Sequence, residues 1–185
     1  MKRSILLLAL STLAVLSSTV YAQSQTDIYD RNYGFTFGKS VQGQILPKND
    51  DVYKDIQNWV TGVAMDVNTY DHKNIDEVLT KNSVHFAPDT WELIYNNMNR
   101  SGIYDMVKQN YYKAEGSVRS EIVVISERMH EEYQTVWDAY FRLVRVRLKA
   151  QESRKMILAK HYKVKASIAL DQNGNYRIIK WIEKH

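Results

Sequence analysis

The chain contains 185 residues, of which 44% are hydrophobic, with a formal net charge of +4 and no cysteine. The absence of cysteine excludes a small disulfide-stapled scaffold and thiol chemistry, so burial of apolar surface must hold the fold together. Two prolines and seven glycines are typical of an ordered globular domain rather than of a linker. The small net charge is only a weak indication of nucleic-acid binding.

The first 22 residues have the pattern of a secretory signal peptide. Lys2 and Arg3 form a basic start, residues 4–20 carry no charge, and cleavage is predicted between Ala22 and Gln23. Cleavage leaves 163 residues, a size typical of one domain with its own core. The alternative is an uncleaved membrane anchor, because roughly 17 apolar residues is the lower limit for spanning a bilayer.

Residues 23–49 are predicted to be an extended lead-in, and residues 50–185 a single domain that starts with helices. Apolar residues recur at intervals of three and four up to Val67, which indicates a first helix capped by aspartates at its start. Asp71 is expected to cap a second helix that ends at Leu79.

Two shorter helices are predicted next. Pro88 occupies a first-turn position and opens a third helix that ends at Met98. Ser101 is expected to cap a fourth helix over residues 102–109. Together with the first two, these helices fill the first half of the predicted domain.

Beyond Gly116 the apolar spacing falls from 3.6 to 2, and β-branched and aromatic residues become more frequent. Four strands are predicted, at residues 118–129, 133–149, 154–170 and 176–183. Helices followed by antiparallel strands predict an α+β fold, with the N-terminal helices packed on a curved antiparallel sheet of about four strands. In the second strand the apolar face switches between Leu143 and Val144, which indicates a β-bulge or a strong bend.

The sequence contains no motif that specifies a reaction. The five histidines lack the spacing that presents two ligands from one element, so neither a metal site nor a cofactor is predicted. Asp138 and Glu121 are acids that strand alternation could direct into a cavity of such a domain, as catalytic residues. Because Asp138 alternates with the apolar side chains of Trp137 and Ala139, it is expected to face solvent, and no catalytic residue is predicted.

Basic side chains are concentrated on two strands that are expected to be neighbours. The predicted interaction face consists of Arg145, Arg147, Lys149, Lys163 and Lys165. Cationic strands with interleaved tyrosines can bind single-stranded nucleic acid, but lysines and arginines also keep a sheet face hydrated. A solvated or protein-contacting face is the preferred interpretation, and nucleic acid is not an expected partner.

Three stretches resemble the periplasmic domain of the DotI/IcmL family of type IVB secretion systems. They are residues 42–47 (QGQILP), Trp59 followed by residues 68–71 (NTYD), and residues 86–91 (FAPDTW) followed by residues 101–107. Their order and spacing carry the resemblance. The residues that matter in these stretches are expected to be scaffold: Trp59, Tyr70, Asp71, Phe86, Pro88 and Trp91.

The resemblance implies a nuclear-transport-factor-like fold and a non-enzymatic role in a secretion apparatus of a Gram-negative bacterium. It also implies other envelope components of that apparatus as partners, with a homo-oligomer as a further possibility. The resemblance also implies a cytoplasmic segment and a retained transmembrane helix, as in typical family members. The predicted signal peptide instead favours an exported periplasmic relative that reaches the membrane only through partners. The alternative is a small-ligand binder or enzyme that uses the cavity of this fold, which an open cavity with an ionisable group would favour.

Overall fold

A computed structural model describes residues 43–119, 121–128, 133, 135–149 and 156–184. The predicted signal peptide and most of the predicted lead-in, residues 23–42, therefore lie outside the described residues. In the described part of the chain, no helix is both long and apolar enough to cross a membrane.

The described residues contain four helices: α1 (Asp51–Asp66), α2 (Ile75–Ser83), α3 (Pro88–Arg100) and α4 (Ile103–Lys108). The predicted first cap is present, since the Asp50 carboxylate accepts hydrogen bonds from the backbone N–H groups of Val52, at 2.8 Å, and Tyr53, at 3.3 Å. Such a bond satisfies N–H groups that the helix itself leaves free. Pro88 opens α3 as predicted.

The predicted cap of the second helix is wrong. α2 begins at Ile75, four residues beyond Asp71, and no side chain caps it. The carboxylate of Asp71 instead accepts hydrogen bonds from the backbone N–H groups of Lys73, at 2.8 Å, and Asn74, at 3.2 Å. Asp71 is therefore part of a turn before α2, because its short side chain reaches the backbone two and three residues on.

The sheet contains six strands in the described residues: β1 (Gly43–Ile45), β2 (Tyr112–Val118), β3 (Val123–Arg128), β4 (Thr135–Lys149), β5 (Met156–Leu170) and β6 (Tyr176–Lys184). All pairings are antiparallel, in the order β1-β3-β4-β5-β6. β2 pairs with the second half of β4, on the same edge that β3 occupies along its first half. The α+β class is confirmed, with two strands beyond the expected four.

The bulge predicted between Leu143 and Val144 is absent. Pairing of β4 with β5 is continuous from Val136 to Arg147, and the register shifts only after Arg147. Leu143 and Val144 are both buried, at 0% and 7% exposure, although they lie on opposite faces of the sheet. Consecutive apolar residues therefore reflect burial of both faces and not a slipped strand.

The inner face of the sheet is the face that packs on α1. Its buried cluster includes Ile56 and Val60 of α1, Phe141 of β4, and Val164 of β5, all 0% exposed. The outer face has a separate small cluster around Ile125 and Tyr140. The helices thus cover one face of the sheet and leave a cavity between α3 and β6.

Candidate functional site

A cavity of about 680 Å³ lies between α3, β6 and the inner face of the sheet. Its wall on the α3 side contains the apolar side chains of Leu93, Ile94 and Met98 together with the polar residues Asp89, Thr90 and Asn97. The floor is more polar and contains the charged side chains of Arg145 and Glu183. The cavity is open to solvent, and its size and its mixed apolar and polar lining are typical of a ligand site.

Arg145 and Glu183 form the inner ion pair. Nη2 of Arg145 lies 2.9 Å from Oε1 of Glu183, and Nε of Arg145 donates to Oδ1 of Asn68 at 2.7 Å. The indole N–H of Trp181 also donates to Oε1 of Glu183, at 2.9 Å. The guanidinium lies over the ring of Tyr162, 4.8 Å from its centroid. Each charged group is therefore held by several partners within the protein.

The position of Asn68 depends on a glycine of the neighbouring strand. Asn68 follows α1 and is 4% exposed, and its Nδ2 donates to the carbonyl of Ala64 at 2.8 Å. Gly116 of β2 lies opposite Arg145, and a Cβ there would come within 2.6 Å of Cβ of Asn68. Only a residue without a side chain lets the end of α1 approach β2 this closely.

Burial and neighbouring charges set the ionisation of the cavity. Burial lowers the pKa of Arg145, but the carboxylate of Glu183 and nearby tyrosines outweigh it and raise this pKa above its ordinary value. Burial also raises the pKa of Tyr70, although Arg145 and Arg147 act against this rise. Arg145 therefore stays charged and Tyr70 stays neutral at physiological pH. This arrangement suits binding better than proton transfer, which needs a pKa near the working pH.

The structure divides the predicted interaction face between the two faces of the sheet. Arg145 and Arg147 lie on the inner face, and Lys163 and Lys165 lie on the outer face, because β4 and β5 pair residue by residue. Lys149 is exposed at the end of β4. The expectation of one common basic face is therefore wrong, although the two strands are neighbours.

The expectation that Asp138 faces solvent is also wrong. Asp138 and Lys165 form the outer ion pair, with 2.6 Å between Oδ2 and Nζ, and the hydroxyl of Ser167 donates to Oδ1 at 2.6 Å. The Asp138 side chain is only 1% exposed, and that of Lys165 only 10%. Strand alternation correctly put Asp138 opposite the inner face, but the outer face is buried at this point.

The scaffold residues of the three stretches that resemble the DotI/IcmL family surround the junction between the helices and the sheet. Phe86 is 3% exposed, its ring centroid lies 5.3 Å from that of Trp91, and it forms a parallel bridge with Ile178. Tyr70 exchanges two backbone hydrogen bonds with Ala114 of β2, at 2.9 and 3.1 Å.

Trp59 is the motif residue on α1. Its ring centroid lies 5.4 Å from that of Tyr176 and 5.9 Å from that of His85. These contacts join α1 to the start of β6 and to the segment before α3. The contacts of the motif residues as a group are those of packing side chains.

Sequence reasoning did not identify Asn68, Tyr162, Trp181 and Glu183 as cavity residues. Glu183 and Arg145 lie on β6 and β4, which are separated by β5, so no local spacing connects them. The alternation of Trp181 and Glu183 along β6 would have placed both on one face. Among the described residues, no group of three or more potential metal ligands is present.

The family model of the type IVB secretion system DotI/IcmL proteins, described as inner-membrane complex components, matches residues 32–184. The chain belongs to the DotI/IcmL family. No curated protein matches it. The family consists of type IV secretion system components. The match confirms the resemblance that the three sequence stretches indicate.

Solved structures of other secretion proteins share the fold of this DotI/IcmL family member. An IcmL-like type IV secretion system protein from Legionella pneumophila is 16% identical, with a TM-score of 0.60 over 73% of this chain and 92% of the other. The periplasmic domain of DotI is 14% identical, with a TM-score of 0.62 over 74% and 96%. A periplasmic fragment of TraM is 10% identical, with a TM-score of 0.61 over 71% and 96%. At these identities the likeness shows the fold, which is nuclear-transport-factor-like.

Proposed function

We propose that this protein is a non-catalytic structural component of a type IVB secretion apparatus that acts through contacts with other envelope proteins. The observation that carries the proposal is the family match, which extends over residues 32–184 and so includes the whole described domain. The similar solved structures are a periplasmic domain and a periplasmic fragment, and they support a position on the periplasmic side of the inner membrane.

The chemistry of the cavity supports a role without catalysis. Arg145 and Glu183 neutralise each other, and each also makes a hydrogen bond to a neutral side chain, Asn68 for Arg145 and Trp181 for Glu183. A general acid or base needs a group that changes its protonation state during the reaction. A charge pair locked in this way instead stiffens the contact between α1, β4 and β6.

The proposed position of the domain in the periplasm depends on its export by residues 1–22. Cleavage after Ala22 would give a mature chain that starts at Gln23 and is held at the membrane by its partners. Retention of residues 1–22 would make the same stretch an inner-membrane anchor for a domain that faces the periplasm. Both forms leave the domain in the same compartment.

The test is purification of the tagged protein from its native envelope after chemical cross-linking, followed by mass spectrometry of its N-terminus and of its partners. We expect a mature N-terminus at Gln23 and enrichment of type IVB secretion components over an untagged control. Recovery in the cytoplasmic fraction, without any secretion component, would refute the proposal. A second copy as the sole cross-linked partner would restrict the protein to a homo-oligomer.

A second candidate function is the binding of a small ligand, because the cavity is open and contains ionisable groups. A planar or amphipathic molecule would contact Leu93 and Met98 on one side and the ring of Tyr162 on the other. Ligand-observed NMR with a fragment library on the wild type and on Met98→Trp tests this. Fragments that bind the wild type and not the filled variant would support the candidate, and an absence of binders would exclude it.

A further inference from the structure

β6 forms one edge of the sheet, and only the first half of this edge is covered in the described residues. The backbone N–H of Ile178 donates to His85 at 2.8 Å, and its carbonyl accepts from Ala87 at 2.9 Å. The hydroxyl of Thr90 donates to the carbonyl of Ile179 at 2.7 Å. The segment before α3 thus closes the edge as far as the bulge in β6.

The second half of this edge faces the cavity. Ile178 directs its N–H and C=O away from β5, and hydrogen-bonded and non-bonded pairs alternate along antiparallel strands. After the one-residue bulge at Ile179, the same alternation directs the backbone groups of Trp181 and Glu183 away from β5. In the described part of the chain, no segment pairs with them. Two residues with unpaired donors and acceptors form a template for another strand.

An apolar surface lies beside this edge on the inner side. Leu93 of α3 is 65% exposed, and it lines the cavity together with Ile94 and Met98. A strand added to β6 would direct alternate side chains into this space, because side chains alternate between the two faces of a sheet. The inward side chains of such a strand would therefore be apolar.

Lysines occupy the outer side of the same edge. Lys180 and Lys184 flank Ile182 on the outer face of β6, and Lys163 of β5 lies opposite Lys184. Antiparallel pairing of β6 with β6 of a second copy, centred on Ile182, would place each Lys180 opposite a Lys184. Like charges directly opposite each other destabilise a sheet, so this edge disfavours self-pairing and favours a strand with acidic residues at these positions.

We propose that the free half of β6, residues 181–183, binds an extended segment of a partner protein as an added antiparallel strand. The segment has the pattern acid–apolar–apolar–apolar–acid, with the two acidic residues opposite Lys180 and Lys184. This is recognition by strand addition, in which backbone bonds supply affinity and alternate side chains supply specificity. The inference rests on the proposed function, since it names the kind of partner segment that such a component engages.

The first test uses a fluorescent, capped peptide with Glu-Val-Ile-Val-Glu between serines, and the purified full-length protein. Binding by fluorescence anisotropy should weaken about tenfold in the double variant Lys180→Glu/Lys184→Glu, which should instead prefer the peptide with lysines in place of the glutamates. N-methylation of both valine amides should abolish binding, whereas N-methylation of the isoleucine amide, which points away from β6, should not. Leu93→Glu, at an exposed position, should weaken binding without loss of stability. Equal binding of the acidic, basic and valine-methylated peptides would overturn the proposal.

The second test needs no ligand. Lys180→Glu alone converts both like-charged pairs of a self-paired edge into opposite-charged pairs, so sedimentation velocity should show more dimer than in the wild type. The double variant restores like charges and should sediment as the wild type does. An unchanged single variant would show that the edge is not available, and the proposal would fail. Both tests use purified protein and are independent of co-purification with secretion components. If both tests fail while co-purification succeeds, only the strand-addition proposal is refuted. If the tests succeed while co-purification fails, only the proposed function is refuted.

Discussion

The sheet carries a partly buried ion pair on its inner face and a more deeply buried one on its outer face, and the two differ in their access to water. The inner pair, Arg145 with Glu183, has side chains 16% and 25% exposed and borders the open cavity. The outer pair, Lys165 with Asp138, has side chains only 10% and 1% exposed. Breaking the outer pair should therefore lower the free energy of unfolding more than breaking the inner pair. Water from the cavity can reach the charge that remains on the inner face, but not the one on the outer face.

The largest effect is expected from breaking the outer pair. Lys165→Ala should lower the free energy of unfolding by about 3–5 kcal/mol, because it leaves the Asp138 carboxylate buried with the hydroxyl of Ser167 as its remaining polar contact. Urea denaturation measures this change. The matched control Asp138→Leu/Lys165→Met removes both charges and should cost much less. A loss below about 1 kcal/mol for Lys165→Ala would contradict a dry outer face.

Breaking the inner pair should cost less. Arg145→Ala should lower the free energy of unfolding by about 2 kcal/mol, since Glu183 keeps the hydrogen bond from Trp181 and gains water from the cavity. Arg145→Lys keeps the charge but loses the second hydrogen bond, to Asn68, and should lie between the wild type and Arg145→Ala. A loss as large as that of Lys165→Ala would show that both faces are equally dry.

Gly116→Ala tests the inner face without removal of a charge. The added methyl group would overlap Cβ of Asn68 and displace the residue that orients Arg145, at a cost of about 1–3 kcal/mol. Thermal unfolding gives the change in stability. The double variant Gly116→Ala/Asn68→Gly removes the Cβ that the added methyl group overlaps. It should therefore regain part of the stability that Gly116→Ala loses. A neutral Gly116→Ala would mean that α1 can move away from β2 freely.

The smallest loss of stability is expected when an exposed ion pair is broken, and this pair serves as the reference for the two buried pairs. Asp76 pairs with Lys108 and accepts a hydrogen bond from Tyr104 at 2.6 Å. The hydrogen bond from Lys108, followed by that from Tyr104, lowers the pKa of Asp76 below its ordinary value of 3.8. Because this folded-state pKa is depressed, the stabilisation is fully present above the unfolded value and is lost as the pH falls through the folded value.

The same contact acts in the opposite direction at Tyr104. The hydrogen bond to Asp76 raises the pKa of Tyr104 from its ordinary value of 10 to about 12. The stabilisation from this bond is therefore fully present below pH 10 and is lost as the pH rises through about 12. Unfolding curves of the wild type and Asp76→Asn should therefore differ from mildly acidic to neutral pH and converge in strong acid. A difference that persists below the folded-state pKa of Asp76 would contradict this assignment.

The helices could be predicted from the sequence because their determinants are local. Asp50 caps α1 within three residues, and Pro88 fixes the first turn of α3. The sheet was predicted less completely. β1 has only three residues, and β2 is joined to β3 by a short break that the strand pattern ran through. β1 is too short to show a period of two, and the seven residues of β2, YKAEGSV, lack a regular alternation of apolar side chains.

The cavity could not be predicted, because its contacts join distant parts of the chain. Arg145 meets Asn68 at a separation of 77 residues and Glu183 at 38. Asp138 shows the same limit on the other face, since strand alternation gives the face of a residue but not what covers that face. The roles expected for the motif residues and for the basic residues stay predictions, although the structure fixes their positions.

The bulge at Ile179 determines which residues β6 presents to each face. Tyr176 and Ile178 point inward before it, and Trp181 and Glu183 point inward after it, so the alternation shifts by one residue. Regular alternation from Ile178 onward, without the bulge, would turn Glu183 away from Arg145 and direct Lys180 into the cavity. Because Ile179 is the extra residue, its deletion should remove the bulge and still leave Glu183 facing Arg145, whereas deletion of Ile182 should turn Glu183 to the outer face and break the inner ion pair.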